Sequence, residues 1–134
     1  MKRMLALVMA LAAAASGCSD PKAPVTPTPV PATLTDTFTG TLAVLGSNTH
    51  PFVVTQIGAI KVTVDSVSPG AAIGIGVGTP SGANCLLLKN LTAVAGPDTQ
   101  ISGTATISGT FCVSVYDVGN LVESVNYTVT VNHS

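Results

Sequence analysis

Short runs of β-branched and aromatic residues, each stopped by a cluster of turn formers, limit what this chain can fold into more than any other feature. The runs occupy 38–44, 51–57, 60–67, 72–77, 85–88, 100–107, 110–116 and 125–131. Alternation is cleanest where Ile60, Val62 and Val64 interleave with Lys61, Thr63 and Asp65. It returns in Phe111, Val113 and Val115, and in Tyr127, Val129 and Val131 against Thr128 and Thr130. A period of two sends successive side chains to opposite faces of a strand, so such runs offer one face to a core and one to water. Between the runs stand Gly46-Ser47-Asn48, Ser68-Pro69-Gly70, Thr79-Pro80-Ser81-Gly82, Gly96-Pro97-Asp98 and Gly119-Asn120, which supply turn dihedrals or interrupt a ladder. No window carries a convincing amphipathic helix. Val and Thr, stiff at χ1 and suited to a pleated surface, dominate with Gly and Ser, whereas helix formers are scarce. The spacing predicts an all-β domain over residues 34–134, an antiparallel β-sandwich of about eight strands.

The first 33 residues read differently. Lys2 and Arg3 precede an almost wholly apolar stretch over 4–15, followed by Ala15-Ser16-Gly17-Cys18. A positive start, a short apolar run and small residues before a cut describe a secretory signal peptide. A membrane-spanning helix needs about 18–20 apolar residues, and this run is shorter and meets Ser19-Asp20-Pro21. The tetrad ending at Cys18 resembles the lipobox of bacterial lipoproteins, with Ala15 where Leu is usual. The resemblance implies that 1–17 is a cleaved signal peptide and that the Cys18 thiol carries a diacylglycerol thioether at the head of the mature chain. Ser19 after the cysteine then favours the outer membrane over the inner one. The competing reading is an ordinary secretory signal with an incidental cysteine. Residues 18–33 follow as a tether, with Pro21, Pro24, Pro27, Pro29 and Pro31 interleaved with Thr, Val and Ala. Proline lacks a ladder donor and favours polyproline II, so Asp20 to Thr33 is a semi-rigid spacer of roughly 40–45 Å when extended.

Over 34–132 the chain resembles the bacterial pre-peptidase C-terminal domain. The likeness rests on Asp36-Thr37-Phe38-Thr39-Gly40, on His50-Pro51-Phe52-Val53-Val54, on the run Ile60 to Val64, and on 109–117 ending in Tyr127-Thr128-Val129-Thr130-Val131. It implies a jelly-roll-like sandwich of the kind appended to secreted peptidases and associated with secretion, surface retention or binding to insoluble substrates. Collagen-binding relatives use clustered acidic residues for calcium near the domain start. Asp36 alone does not reproduce that cluster, so neither calcium nor collagen binding carries over.

The chemistry-bearing residues are few. Beyond Cys18 the chain has three lysines and no arginine against six carboxylates, which leaves no positive field for nucleic acid. Cys85 and Cys112 remain as an even pair, which an oxidising compartment would join as a disulfide. Two buried thiols or a metal pair are the alternatives, and metal needs more ligands than lie nearby. Gly74-Ile75-Gly76-Val77-Gly78 lacks the spacing and following helix of a dinucleotide fingerprint. It reads instead as a strand whose glycine face admits close approach by another backbone or a partner. His50 and His133 read as exposed, no serine sits in a nucleophile elbow, and no catalytic residue, metal or cofactor is expected. Tyr116, Asp117 and Asn120 are a possible ligand contact for protein or polysaccharide at one end of the sandwich. The alternative is that Tyr116 packs on a loop while Asp117 and Asn120 shape the turn. Together these features describe a membrane-anchored, non-catalytic binding or structural module facing the periplasm or the cell surface. A small secreted enzyme or peptidase inhibitor on the same lipid anchor is the alternative.

Overall fold

The computed structural model describes Gly17 and residues 22–134. Residues 22–33 run exposed and without regular structure into the first strand. Eight strands follow: β1 (Leu34–Leu42), β2 (Ser47–Val54), β3 (Gly58–Ser68), β4 (Ile73–Ser81), β5 (Asn84–Ala95), β6 (Gln100–Ala105), β7 (Gly109–Tyr116) and β8 (Val125–His133). They form two four-stranded antiparallel sheets, ordered β1-β8-β3-β6 and β2-β7-β4-β5. Every connection except β4–β5 crosses from one sheet to the other, which is the wrapping of a jelly roll.

The strand registers place the connections. Leu34 lies opposite His133, Val54 opposite Gly109, and Gly58 opposite Ala105. The Thr55 amide donates to the carbonyl of Ser134. Residues 22–33 therefore join the domain at the end that holds loops 55–57, 82–83 and 106–108. Loops 43–46, 69–72 and 117–124 lie at the opposite, free end.

Alternation fills the space between the sheets. Ile60, Val62 and Val64 of β3 and Tyr127, Val129 and Val131 of β8 face Ile73, Ile75 and Val77 of β4 and Phe111, Val113 and Val115 of β7. Each fully buried Val or Ile side chain contributes about 1.5–3 kcal/mol relative to exposure. Pro51 is on edge strand β2, opposite Cys112, where a missing ladder donor costs least.

β5 is longer than its expected run and irregular. Gly76 pairs with Thr92 but Gly78 with Leu87, so several extra β5 residues oppose one position of β4. The excess turns Leu91 inward against Gly103 of the other sheet. It also lays the Leu86 backbone directly against Gly78, where any Cβ would collide with the Leu86 carbonyl. The glycine face of β4 is thus covered by the chain itself, with the Tyr116 ring on Gly74, and Leu87 and Thr92 on Gly76. Close approach to these glycines was the expectation, and the approaching groups are β5 and β7. Two predicted turn segments are strand instead: Ser47 and Asn48 open β2, and Thr79, Pro80 and Ser81 close β4. Their side chains find ladder partners in β7 and β5, which tertiary pairing supplies and local propensity does not. The β4–β5 hairpin turns in two residues, with Gly82 at φ +61°.

Cys85 and Cys112 form a disulfide between β5 and β7 with Cα atoms 5.8 Å apart. β4 lies between those strands, so a flat sheet would hold the cysteines at roughly twice the 4.8 Å strand spacing. The curl of β5 over Gly78 closes that gap. Reduction should therefore lower the unfolding free energy by about 3–4 kcal/mol. Urea melts of the full chain with and without reductant measure it, and superposable melts would contradict the estimate.

Candidate functional site

Two groups of polar side chains stand apart from the alternating core. The first lies inside the sandwich at the edge where β1 faces β2. Tyr127 is almost fully buried, yet its hydroxyl is satisfied from the opposite sheet. Asn48 Nδ2 donates to it at 3.0 Å and also to the Thr41 carbonyl at 2.9 Å. His50 Nε2 lies 2.7 Å from the same hydroxyl. The tautomer of the imidazole sets which of the two donates in this bond. Burial holds the His50 imidazole below its ordinary pKa and pushes the Tyr127 phenol up. Phe38 stacks on His50 with ring centroids 4.8 Å apart. Further along the edge, His133 Nε2 sits 2.9 Å from Asp36 Oδ2, beside Phe52.

The expectation of exposed histidines is therefore corrected. His133 is buried and His50 is half-buried. The alternation that points Val129 and Val131 inward carries on to His133, and Asp36 reaches in from β1 to bond it. The pair ties the first strand of the domain to its last. Among the described residues, no three His, Cys, Asp or Glu side chains group as a metal site would need.

The second group holds the free end. The Asp117 carboxylate accepts four backbone N–H groups: Leu45 at 2.8 Å on Oδ2, and Gly119, Asn120 and Leu121 at 2.8, 3.1 and 3.2 Å on Oδ1. These bonds, that from Leu45 foremost, hold the Asp117 carboxyl below the usual carboxylate range. The Asp117 amide adds a bond to the Gly46 carbonyl at 3.0 Å. One side chain thus binds the β1–β2 loop to the β7–β8 loop. It also holds Leu45 at φ 58°, a left-handed conformation that costs a branched residue about 1–2 kcal/mol.

The tips of these loops are apolar. Leu45 is 83% exposed and Val122 94%, with Val44 and Val118 partly exposed beside them. A groove of about 270 Å³ runs between loop 69–72 and residues Asn120, Leu121, Val122 and Glu123. Of the predicted contact residues, Asp117 shapes the loop, Tyr116 is committed to covering Gly74, and Asn120 lines this groove. The apolar tips were not singled out in the sequence, because isolated Leu and Val between strands are indistinguishable from ends of core runs. Cys18 lies outside the described residues.

No protein-family model matches the chain, and no curated protein matches it. Among solved structures it is similar to PliG of Aeromonas hydrophila, a periplasmic inhibitor of g-type lysozyme. The TM-score is 0.51 at 16% identity, over 72% of this chain and 83% of that one. The two share the sandwich fold.

Asp117→Ala should free the amides of Leu45, Gly119, Asn120 and Leu121 together. Hydrogen exchange would show all four losing protection while β3 and β8 keep theirs; loss at one loop alone would refute the shared clamp. Acid should weaken the fold through His50. Its folded pKa is depressed, so the unfolded state binds the proton more readily and stability is lost as pH falls through about 6.5. The urea midpoint should fall between pH 8 and pH 5, and less so in His50→Gln. An equal fall in both proteins would exclude His50 as its source.

Proposed function

We propose that this chain is an exported, lipid-anchored and non-catalytic module that binds a secreted enzyme through its free end and inhibits it. The observation that carries the reading is the Asp117 clamp, which fixes two loops whose tips, Leu45 and Val122, are almost fully exposed and apolar. Preorganised loops lose little entropy on binding, and exposed apolar tips are the side chains a partner's cleft can bury. The tether joins at the opposite end, so the tips point away from the anchor. The likeness to a lysozyme inhibitor, though confined to fold, supports an enzyme as the partner and a wall-degrading hydrolase as the first to try. The disulfide fits an oxidising compartment outside the cytoplasm. Lipidation at Cys18 rests on the lipobox resemblance and the proline spacer behind it.

Full chain carrying Cys18→Ser, exported but unacylated, is to be titrated against lysozymes, g-type included, and against secreted peptidases. Stoichiometric loss of activity is expected for one of them. Leu45→Asp with Val122→Asp should weaken inhibition at least tenfold, as interface anchors do when replaced by a charge. A panel left wholly uninhibited, or a double variant as potent as its parent, would overturn the reading. The anchor is tested separately by incorporation of labelled palmitate, which should vanish with Cys18→Ser.

A further inference from the structure

The outer face of the sheet β1-β8-β3-β6 is unusual in what it lacks. Its rows read Thr35, Asn132, Lys61 and Ser102; then Thr37, Thr130, Thr63 and Gln100; then Thr39, Thr128 and Ser66; then Thr41, Asn126 and Ser68. Exposed strands more often carry charges there, which also protect a sheet from pairing with others. Here only Lys61 and Asp65 are ionic, and Asp65 is already bonded by Thr130 Oγ1.

Within this grid the hydroxyls divide into two kinds. Thr35 donates to Asn132, Thr41 donates to Asn126, and Thr37 lies against Thr130, so these groups satisfy one another. Among the described residues, the hydroxyls of Thr39, Thr128, Ser66 and Ser68 have no side-chain or backbone partner within the protein. The four are grouped. With Thr41 and Asn126 they line a trough of about 350 Å³ above β8, flanked by β1 and β3. Asn126 accepts from Thr41 through Oδ1, which leaves its amide hydrogens to donate into the same space.

We infer that this trough is a binding site for a neutral glycan segment. Its volume lies within the range of about 300–1,000 Å³ typical of small-ligand clefts. Its lining offers hydroxyl and amide donors and acceptors, with Gly40 and Tyr127 beside them and no ionic group. An anion or cation would find no counter-charge there. A chain of sugar hydroxyls finds donor and acceptor at each position, and the strand repeats space the hydroxyls about 4.8 Å apart across the sheet and roughly 6.8 Å along it. Tyr127, the aromatic residue at this trough, is almost fully buried and offers no exposed ring face for stacking, so binding is weak per site and suited to a polymer with many repeats. This site is separate from the free-end loops and does not depend on the inhibitor reading.

The test is affinity electrophoresis of the full chain carrying Cys18→Ser, in native gels cast with dextran, laminarin or hydroxyethylcellulose, and with hyaluronan as the anionic control. Retardation is expected in at least one neutral gel and none in hyaluronan. The triple variant Thr39→Val, Thr128→Val and Ser66→Ala removes hydroxyls at nearly constant shape and should abolish at least tenfold of the apparent affinity. Its urea midpoint reports whether the fold persists; if it does not, Thr39→Val alone provides the same comparison. No retardation in any neutral gel, equal retardation of parent and folded variant, or retardation in hyaluronan alone would overturn the inference. Enzyme inhibition should be unchanged in these variants, so failure here and failure of the inhibitor reading are told apart.

Discussion

Apolar burial between two amphipathic sheets is the constraint on which the rest of this molecule depends. β3 and β8 turn Ile60, Val62, Val64, Val129 and Val131 toward β4 and β7, which answer with Ile73, Ile75, Val77, Val113 and Val115. Neither sheet can leave that face in water, because each side chain would forfeit about 1.5–3 kcal/mol. The connections that cross between sheets follow from the need to keep both faces covered as the chain advances. Once the sheets are locked, the loops at either end have fixed origins, and the outer faces are free to carry chemistry unrelated to folding.

At the β1/β2 edge the same burial has a polar solution. The sandwich narrows to a phenol, an amide and an imidazole that exchange hydrogen bonds across the gap. Replacing them with aliphatic groups would keep the contact and lose its direction: the Tyr127 hydroxyl accepts from a donor placed where Asn48 is, and bonds a ring nitrogen placed where His50 is. Such a bonded set resists slippage of β2 along β7, since a one-residue shift would turn Asn48 and His50 outward and strand the phenol. Asp36 and His133 close the far end of this edge in the same manner. Together they join the first and last strands where residues 22–33 enter the domain.

The free end and the outer sheet face carry two different surface chemistries. At the free end a single carboxylate gathers loops from opposite sheets and fixes apolar tips. On the β1-β8-β3-β6 face, regular pairing places neutral hydroxyls in rows and leaves a trough of unpaired ones. The first surface is shaped by strained loop geometry, the second by the regularity of strands. They can be altered independently because no residue belongs to both.

Strand existence was legible in the sequence, since alternation and turn formers are local signals: each of the eight expected runs contains or overlaps an observed strand. The even pair Cys85 and Cys112 and the close packing on Gly74, Gly76 and Gly78 were legible too, because each follows from what a residue type can and cannot do. Strand ends were less so. β5 reaches Ala95 and β2 begins at Ser47 because partners distant in sequence complete their ladders. That Asp117 shapes its own turn was legible, since its bonds to Gly119, Asn120 and Leu121 are local. Burial of His133, the inward Asp36, the reach of Asp117 to Leu45 and the trough of free hydroxyls were invisible in one dimension. The Leu45–Asp117 bond spans 72 positions, the Asp36–His133 bond spans 97, and the trough gathers three strands. The chain by itself determined that alternating strands must bury one face. Tertiary structure alone decided which polar groups meet, because hydrogen bonds are directional and form only after the apolar faces have closed.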